Sequence, residues 1–363
     1  MKDSTIWVGI DDHADSLKVS VFGSDGSQPL ERFELVPDER GLRQLVRRMK
    51  GLGSEVRCVY EAGPCGYQLY RHLRGRGVCC EVAAPALTPR RPGQRVKTDR
   101  RDADKLGRFH RSGELVLIRV PDQSQEALRD LVRAREDAQE DLMRRRHRLS
   151  KFLLRHGHRY RGGQHWTQRH WALIRSIHFD DVHAQAVLNE YVLAIAEQTE
   201  QIKRFDSLME EASRQPLYAE KIGHLKVLRG VATTTALTIL SETGDLRRYT
   251  GARQLMAATG LVPSEHSSGS RRRQGAITKT GNAHLRRVLV EAAWHYRHRP
   301  WPGPSIRARR HGQPETLLAI ARRADGRLHQ KYRRLMARGK RPAEAVVAVA
   351  RELAGFVWAI GQA

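Results

Sequence analysis

The sequence predicts an α/β domain followed by a mostly helical remainder, and three observations support this division. Strand-like and helix-like segments alternate over residues 1–115, which is typical of an α/β domain. Over residues 116–215 apolar side chains recur near a period of 3.5, which indicates two long helices, with a coiled coil as one arrangement of them. Shorter apolar helical segments return after Pro216, so residues 216–363 are predicted to form a third, mainly helical region.

The elements of the first region follow from short apolar patterns. Alternation around Ile6, Val8 and Ile10, and again over residues 18–22, predicts a pair of strands. Two more strands are predicted at residues 56–60 and 78–83, and helices at 39–49, 67–73 and 99–111. In the third region we expect an apolar helical pair over residues 225–243 interrupted at 229–232, a short helix at 255–261, a basic loop, and helices at 285–296, 315–324 and 343–358.

The charge balance indicates a polyanionic partner. Lys and Arg total 65 against 40 Asp and Glu, a formal net charge of +25. Such an excess disfavours a compact chain unless a polyanion lies nearby, and nucleic acid is the usual one. An anionic membrane surface is the competing partner, but no apolar run approaches the ~20 residues of a membrane span. Since a strand pattern begins almost at Met1, we expect no signal peptide and a cytosolic protein.

Four carboxylates stand where a metal site could form. Asp11 ends the first strand, Glu61 directly follows the strand at 56–60, and Asp99 and Asp102 begin a predicted helix. A spacing of three places the last two on one helix face. Carboxylate oxygens suit Mg²⁺ or Mn²⁺, and two such ions about 4 Å apart would stabilise the attacking and leaving oxygens of phosphodiester transfer.

Each of these acids also has an ordinary structural explanation. An aspartate after a strand often forms a turn, and Asp99 could simply cap its helix. Four acids in this order, in an α/β context and a very basic chain, favour the metal site. The neighbouring Asp12 and Asp104 rank lower, because Asp12 should point to the opposite strand face and Asp104 lies off the helix stripe.

A basic segment rich in serine and glycine occupies residues 264–282. It contains no acid after Glu265, and the next acid is Glu291. In the simpler interpretation it binds phosphate without catalysis, through Arg271, Arg272, Arg273 and Lys279. In the sharper interpretation one of its serines attacks a DNA phosphate. The serine hydroxyl then needs a group that helps it lose its proton, and the pentavalent phosphate needs groups that stabilise its negative charge.

Several short motifs together resemble the DEDD transposases of insertion sequences, the bridge-RNA-guided recombinases. They are Gly9-Ile-Asp11, Tyr60-Glu-Ala-Gly63, Lys97-Thr-Asp-x-x-Asp102, Gly260-Leu-Val-Pro263, Ser268-Gly269 and Lys279-Thr-Gly-Asn-x-x-Leu-Arg-Arg287. The resemblance covers nearly the whole chain, in order and at matching spacing. One departure is Arg229-Gly-Val-Ala232, where the family often has a Pro-Gly-Ile-Gly hairpin.

The resemblance implies a fold, a reaction and partners. The fold is an RNase-H-like (RuvC-like) domain at 1–115, a coiled coil at 116–215 and a transposase domain at 216–363. The reaction is DNA cleavage, exchange and rejoining through a phosphoserine link, with Asp11, Glu61, Asp99 and Asp102 as the metal tetrad. The nucleophile falls at Ser268, with Ser267 and Ser270 as alternatives in a shifted register. The partners are double-stranded DNA, a structured guide RNA and further copies of the chain, as a homodimer and a homotetramer.

Basic side chains supply candidate contacts to nucleic acid. They are Arg90, Arg91, Arg95 and Lys97 before the third helix, Arg271, Arg272, Arg273 and Lys279 in the serine segment, and Arg286 and Arg287 after it. The acid-free stretch at 142–179, with Trp166 and Trp171 among its arginines and histidines, is a further candidate.

Two other functions compete with the recombinase. A RuvC-like nuclease such as a junction resolvase would activate water with the carboxylates and would need no serine, so the serine segment counts against it. A non-catalytic nucleic-acid-binding protein would tolerate loss of all four carboxylates.

Overall fold

A computed structural model describes residues 5–25, 28–53, 55–89, 99–268 and 271–363, without the side chains of 99–101, 266–268, 271 and 272. The chain forms two compact units, one ending at Pro121 and the other beginning at Asp122. Within these described ranges, no helix combines the length and the apolar composition required to cross a lipid bilayer.

The first unit is built on a six-stranded sheet with the order β3-β2-β1-β4-β5-β6. The strands are β1 Ile6–Asp12, β2 Leu17–Phe22, β3 Glu31–Leu35, β4 Val56–Glu61, β5 Cys79–Ala83 and β6 Leu117–Ile118; the helices are α1 Glu39–Gly51, α2 Gln68–Arg74 and α3 Asp99–Arg111. β1, β4 and β5 run parallel, and the other neighbours pair antiparallel. The mixed sheet with its helices fits an RNase-H-like domain.

The two faces of this sheet are covered by different helices. On one face Val8 and Ile10 pack in a core with Leu45 of α1 and Leu73 of α2. On the other face α3 lies against β1 and β4, where Leu106 packs on Val59. Because the faces alternate along each strand, this arrangement decides which way the acids at the strand ends point.

The second unit is almost entirely helical. Its helices are α4 Gln123–Arg155, α5 Gln168–Ser176, α6 Val182–Ser213, α7 Pro216–Leu225, α8 Thr233–Thr243, α9 Ala252–Ala258, α10 Ala283–Ala293, α11 Pro304–Arg310, α12 Glu315–Ala337 and α13 Pro342–Ile360. The long helices α4 and α6 pack against each other. α8, α10 and α13 supply much of a separate core that includes Leu237, Leu289 and Leu353.

Two expectations for the second unit were wrong. The segment predicted as a basic loop forms a hairpin of β7 Pro263–Ser268 and β8 Arg271–Ile277, since the ladder satisfies backbone groups that the polar side chains do not. The first helix of the apolar pair ends at Leu225 instead of beginning there, because Pro216 at its first turn favours an earlier start.

The Arg229-Gly-Val-Ala232 turn joins α7 to α8. Gly230 has φ +79°, a left-handed conformation that glycine adopts without strain. The buried Arg229 donates from Nη1 to the carbonyls of His298 and Arg299, at 3.1 and 3.0 Å. An anchored arginine therefore fixes the turn that lacks the second glycine.

Candidate active site

Asp11 and Glu61 lie side by side at the ends of two parallel strands. β1 and β4 are in register up to Ile10 and Tyr60, and each acid is the next residue of its strand. The carboxyl ends of parallel neighbours share one edge of the sheet, so the two acids lie at the same level there. The sequence order alone could not establish this pairing.

Both acids also belong to the face that α3 covers. A Cβ atom on Gly9 would lie 2.1 Å from the backbone oxygen of Ala103, so this position of β1 faces α3 at close range. Asp11 is two residues further along β1, and Glu61 is two residues beyond Val59, which packs on Leu106. With the two-residue period of a strand, both side chains are on the α3 face.

α3 begins at the edge of the sheet where these acids lie. Its Ala103 lies over Gly9, Gly107 meets the ring of Phe22, and the His110 ring lies 4.8 Å from that of Trp7. Later residues of α3 therefore contact earlier residues of β1, so the helix runs antiparallel to the strand. Its first turn, with Asp99 and the half-buried Asp102, is at the Asp11 end.

Two polar residues beside Asp11 were missed from the sequence. Nε2 of His13 lies 3.2 Å from Oδ2 of Asp11, whose side chain is only 16% exposed. Lys18 of β2 is the cross-strand partner of Asp11. His13 could have been suspected only from its place in the run Asp11-Asp-His13. Lys18 could be assigned only once the register of β1 with β2 was known. Both bring positive charge or a proton donor to the acid.

The two lower-ranked acids have other surroundings. Asp12 follows Ile10 in alternation and so belongs to the α1 and α2 side of the sheet; burial raises the pKa of its carboxyl, while His13 opposes the rise. Asp104 accepts 2.7 Å from Ser20 Oγ and 3.0 and 2.8 Å from Arg32. Although burial alone would raise the pKa of Asp104, these hydrogen bonds hold it below its usual value.

The donor set suits a hard divalent cation. Asp11 and Glu61 at the sheet edge and Asp102 in the first turn of α3 offer only carboxylate oxygens, the ligands that Mg²⁺ and Mn²⁺ prefer. Among the side chains that the structure describes, which exclude that of Asp99, no three acids, imidazoles or thiols lie close enough together to hold a metal ion.

The serine segment includes most of the β7–β8 hairpin. In its register Ser268 is opposite Arg271 and Ser267 is opposite Arg272, so each serine has an arginine as its cross-strand neighbour. Ser270 lies outside the described residues. The backbone register places Ser267 and Ser268 at the end of β7, paired with the first residues of β8.

The Gly260 and Lys279 motifs hold the root of this hairpin. The N–H of Lys279 donates to Gly260 O at 3.1 Å, and the N–H of Asn282 donates to Ala258 O at 2.9 Å. Gly281 has φ +138°, and a Cβ at this position would clash with the backbone oxygen of Ala258 at 2.3 Å. The Asn282 side chain caps α10 through Leu285 N–H at 2.8 Å. These residues position the hairpin from its base.

The candidate nucleic-acid contacts differ in their surroundings. Arg273 and Lys279 are exposed. Arg286 donates to the carbonyls of Thr259 and Lys279, while Arg287 pairs with Glu136 at 2.5 Å and with Glu291 at 3.0 Å. Arg90, Arg91, Arg95 and Lys97 lie outside the described residues, as do the side chains of Arg271 and Arg272.

Two parts of the chain match family models, and nearly all of it is similar to known transposases. Residues 8–157 match a transposase model of the DEDD IS110 type, and residues 223–306 match the IS116/IS110/IS902 transposase family. The chain is 41% identical to the putative transposase y4qE of Sinorhizobium fredii, over 91% of this chain and 81% of the relative. It is 32% identical to the transposase for insertion sequence element IS1533 of Leptospira borgpetersenii, over 93% and 98%.

Proposed function

Because the chain belongs to the IS110 family of transposases, which move insertion sequences, we propose that it cuts and rejoins DNA with a carboxylate metal site and a serine nucleophile. The observation that carries the proposal is the convergence of Asp11, Glu61 and the first turn of α3 at one edge of the sheet. The serine hairpin with its arginine partners supports the second part.

Asp11, Glu61, Asp99 and Asp102 are the proposed ligands of Mg²⁺ or Mn²⁺. The DEDD-type domain suggests dependence on a divalent metal, and the oxygen-only donors agree with these two ions. When bound, the metal would stabilise negative charge on the phosphate oxygens. His13, which directly follows β1, and Lys18 of β2 would then orient Asp11.

Ser268 is the proposed nucleophile, with Ser267 and Ser270 as alternatives. As its Oγ loses its proton and bonds to phosphorus, the bond from phosphorus to the leaving deoxyribose oxygen breaks, and that oxygen takes up a proton. One phosphodiester replaces another, so the protein–DNA link conserves the bond energy needed for rejoining. The positive charge opposite the serines on β8 would stabilise the pentavalent phosphate. Attack by a different DNA end reverses the step and rejoins the strand.

The partners belong to the same proposal. A guide RNA and double-stranded DNA would meet the exposed Arg273 and Lys279 and the other predicted basic residues, and the chain would act as a homodimer or homotetramer. A coiled coil of α4 and α6 is supported by buried Leu188, Ile195 and Ile202, which repeat at seven-residue intervals. We also propose three functional domains, at residues 1–115, 116–215 and 216–363.

The proposal is tested by trapping the protein on labelled DNA with Mg²⁺ and the element's RNA, followed by a denaturing gel. We expect wild type and Asp12→Asn to cut DNA and form an adduct, because Asp12 is on the opposite sheet face. Asp11→Asn should lose both activities. Ser268→Ala should lose the adduct; if it still cuts DNA while Asp11→Asn does not, the protein is a metal-dependent nuclease that uses water.

A further inference from the structure

The connection between α4 and α6 carries an unusual concentration of positive charge. Residues 142–179 contain nine arginines, one lysine and six histidines and no acid. They include the end of α4, a loop at 156–167 and α5. Because no carboxylate balances these cations within the segment, an anionic ligand is favoured there.

An open pocket of about 280 Å³ lies in this segment, and we call it the tip pocket. The apolar part of its lining consists of Leu153, Leu154, Leu173, Ile174 and Ile177. Lys151 and Arg159 bring positive charge to its lining. The described lining contains no acid, so the pocket combines apolar surface with cations and suits a flat ligand that carries negative charge.

Three rings in the lining are packed as a cluster. The centroid of Tyr160 lies 4.4 Å from that of His170 and 5.4 Å from that of His165, and the two histidine rings are 4.7 Å apart. Tyr160 is half-buried and His165 is exposed. Such rings offer surfaces on which a nucleobase stacks, whichever base it is.

The ring cluster is fixed by the surrounding structure. Nδ1 of the buried His170 accepts the N–H of Trp166 at 2.9 Å, so the neutral ring carries its proton on Nε2. Burial lowers the pKa of His170, and His165 lowers it further, which keeps the ring neutral. Trp166 holds φ +63°, an uncommon conformation for this residue, with Arg146 5.2 Å over its ring. Preset rings reduce the ordering cost of binding.

We propose that the tip pocket binds an unpaired nucleobase, with Tyr160 and His165 stacking on the base and Lys151 and Arg159 facing its phosphates. This site is distinct from the metal and serine residues and rests on the proposed function only in that the chain handles nucleic acid. A pocket of this size admits a single base and not a base pair held in a duplex. Unpaired RNA and unpaired DNA share this chemistry.

The test is fluorescence anisotropy of the full chain, without Mg²⁺, on labelled single strands of about 12 nucleotides, within the site sizes of single-strand binders. Matched strands with one central abasic position, made as RNA and as DNA, retain the phosphates and remove the base. We expect wild type to prefer the intact strand by about 5- to 160-fold, the range of base–aromatic stacking. The stronger of the RNA and DNA preferences identifies the source of the base.

Variants locate the preference in the pocket. Tyr160→Leu and His165→Leu should bind intact and abasic strands alike, whereas His178→Leu, an exposed histidine of the same segment outside the lining, should behave as wild type. Arg159→Gln should weaken both strands more than Arg161→Gln does, two residues away and outside the lining. Because His165 is exposed, its variant should fold even if Tyr160→Leu does not.

Equal binding of intact and abasic strands by wild type overturns the proposal, as does an equal loss in His165→Leu and His178→Leu. The serine and the metal take no part in this measurement. A chain that shows the base preference but never forms a DNA adduct therefore contradicts the proposed function alone, and the reverse result contradicts the tip pocket alone.

Discussion

At the scale of single residues, the buried Glu242 joins three helices of the second unit. Its side chain is 1% exposed and accepts hydrogen bonds from Arg133 of α4 at 2.8 and 3.0 Å. It also accepts 2.6 Å from Nδ2 of Asn282, the residue that caps α10 at the hairpin root. This one carboxylate of α8 therefore connects the long helix to the base of the serine hairpin.

Glu242→Gln should lower the free energy of unfolding by about 3 kcal/mol, because it removes the buried countercharge of Arg133 and of the mostly buried Arg129. Urea denaturation followed by circular dichroism measures the change. The control is Glu200→Gln on α6, whose exposed partner is Lys203 and whose effect should stay within about 0.5 kcal/mol. Equal effects of the two variants would contradict the role given to Glu242.

The same carboxylate should make stability depend on acid pH. Burial alone would raise the pKa of Glu242, but the Arg133 hydrogen bonds and charge, with Asn282, hold it below its usual value. A depressed folded-state pKa contributes stability that is full above about pH 4.3, the unfolded value, and is lost as the pH falls through the folded value. Unfolding titrations below that pH should show a shallower loss in Glu242→Gln than in wild type; parallel curves would refute this assignment.

At the scale of elements, the close approach of α3 to β1 places the first turn of α3 at the Asp11 edge. Gly9→Ala would put a Cβ 2.1 Å from Ala103 O, so the helix must shift. We expect unfolding to become easier by about 1–3 kcal/mol, typical of overpacking, and DNA cleavage to fall by more than the unfolded fraction explains.

Gly51→Ala is the matched control in the same unit. Gly51 ends α1, and a Cβ there meets nothing within 4 Å. This change should be neutral or slightly stabilising, because alanine loses less backbone freedom than glycine on folding. Cleavage by Gly9→Ala at the wild-type rate would show that the position of α3 does not govern the carboxylate site.

Much of the element order followed from sequence periodicity, and what was missed has physical reasons. β1, β2, β4, β5 and α3 carry buried alternation or an amphipathic stripe, and the structure confirms them. β3 was missed because an edge strand with charges at three of its five positions shows little apolar signal, and β6 because it has two residues.

The candidate site divides in the same way. The acids could be selected because each follows a recognisable strand or starts a helix. Their shared face depends on the parallel register of β1 with β4 and on the tight Gly9 contact, which are long-range features. The structural roles of Asn282 and Arg287 could not be predicted from the sequence either, because their partners Glu242 and Glu136 are 40 and 151 residues away along the chain.

At the scale of the whole molecule, the net charge of +25 predicts strongly salt-dependent DNA binding. Replacing the exposed Arg273 and Lys279 with glutamine should reduce the slope of log affinity against log salt by about 0.9 for each phosphate contact removed. Duplex binding over a salt series measures it. Arg247→Gln, whose guanidinium is paired with Asp245 at 3.0 Å, should leave the slope unchanged; the same slope in all variants would exclude these contacts.

The most direct test of the central claim is to identify the amino acid that carries DNA in the trapped complex. The adduct would be digested with protease and nuclease, and the nucleotide-bearing peptide sequenced by mass spectrometry. The account predicts a phosphodiester on Ser268, within the hairpin of residues 263–277. DNA attached to a residue outside that hairpin, or cleavage with no covalent peptide under any condition, would contradict it.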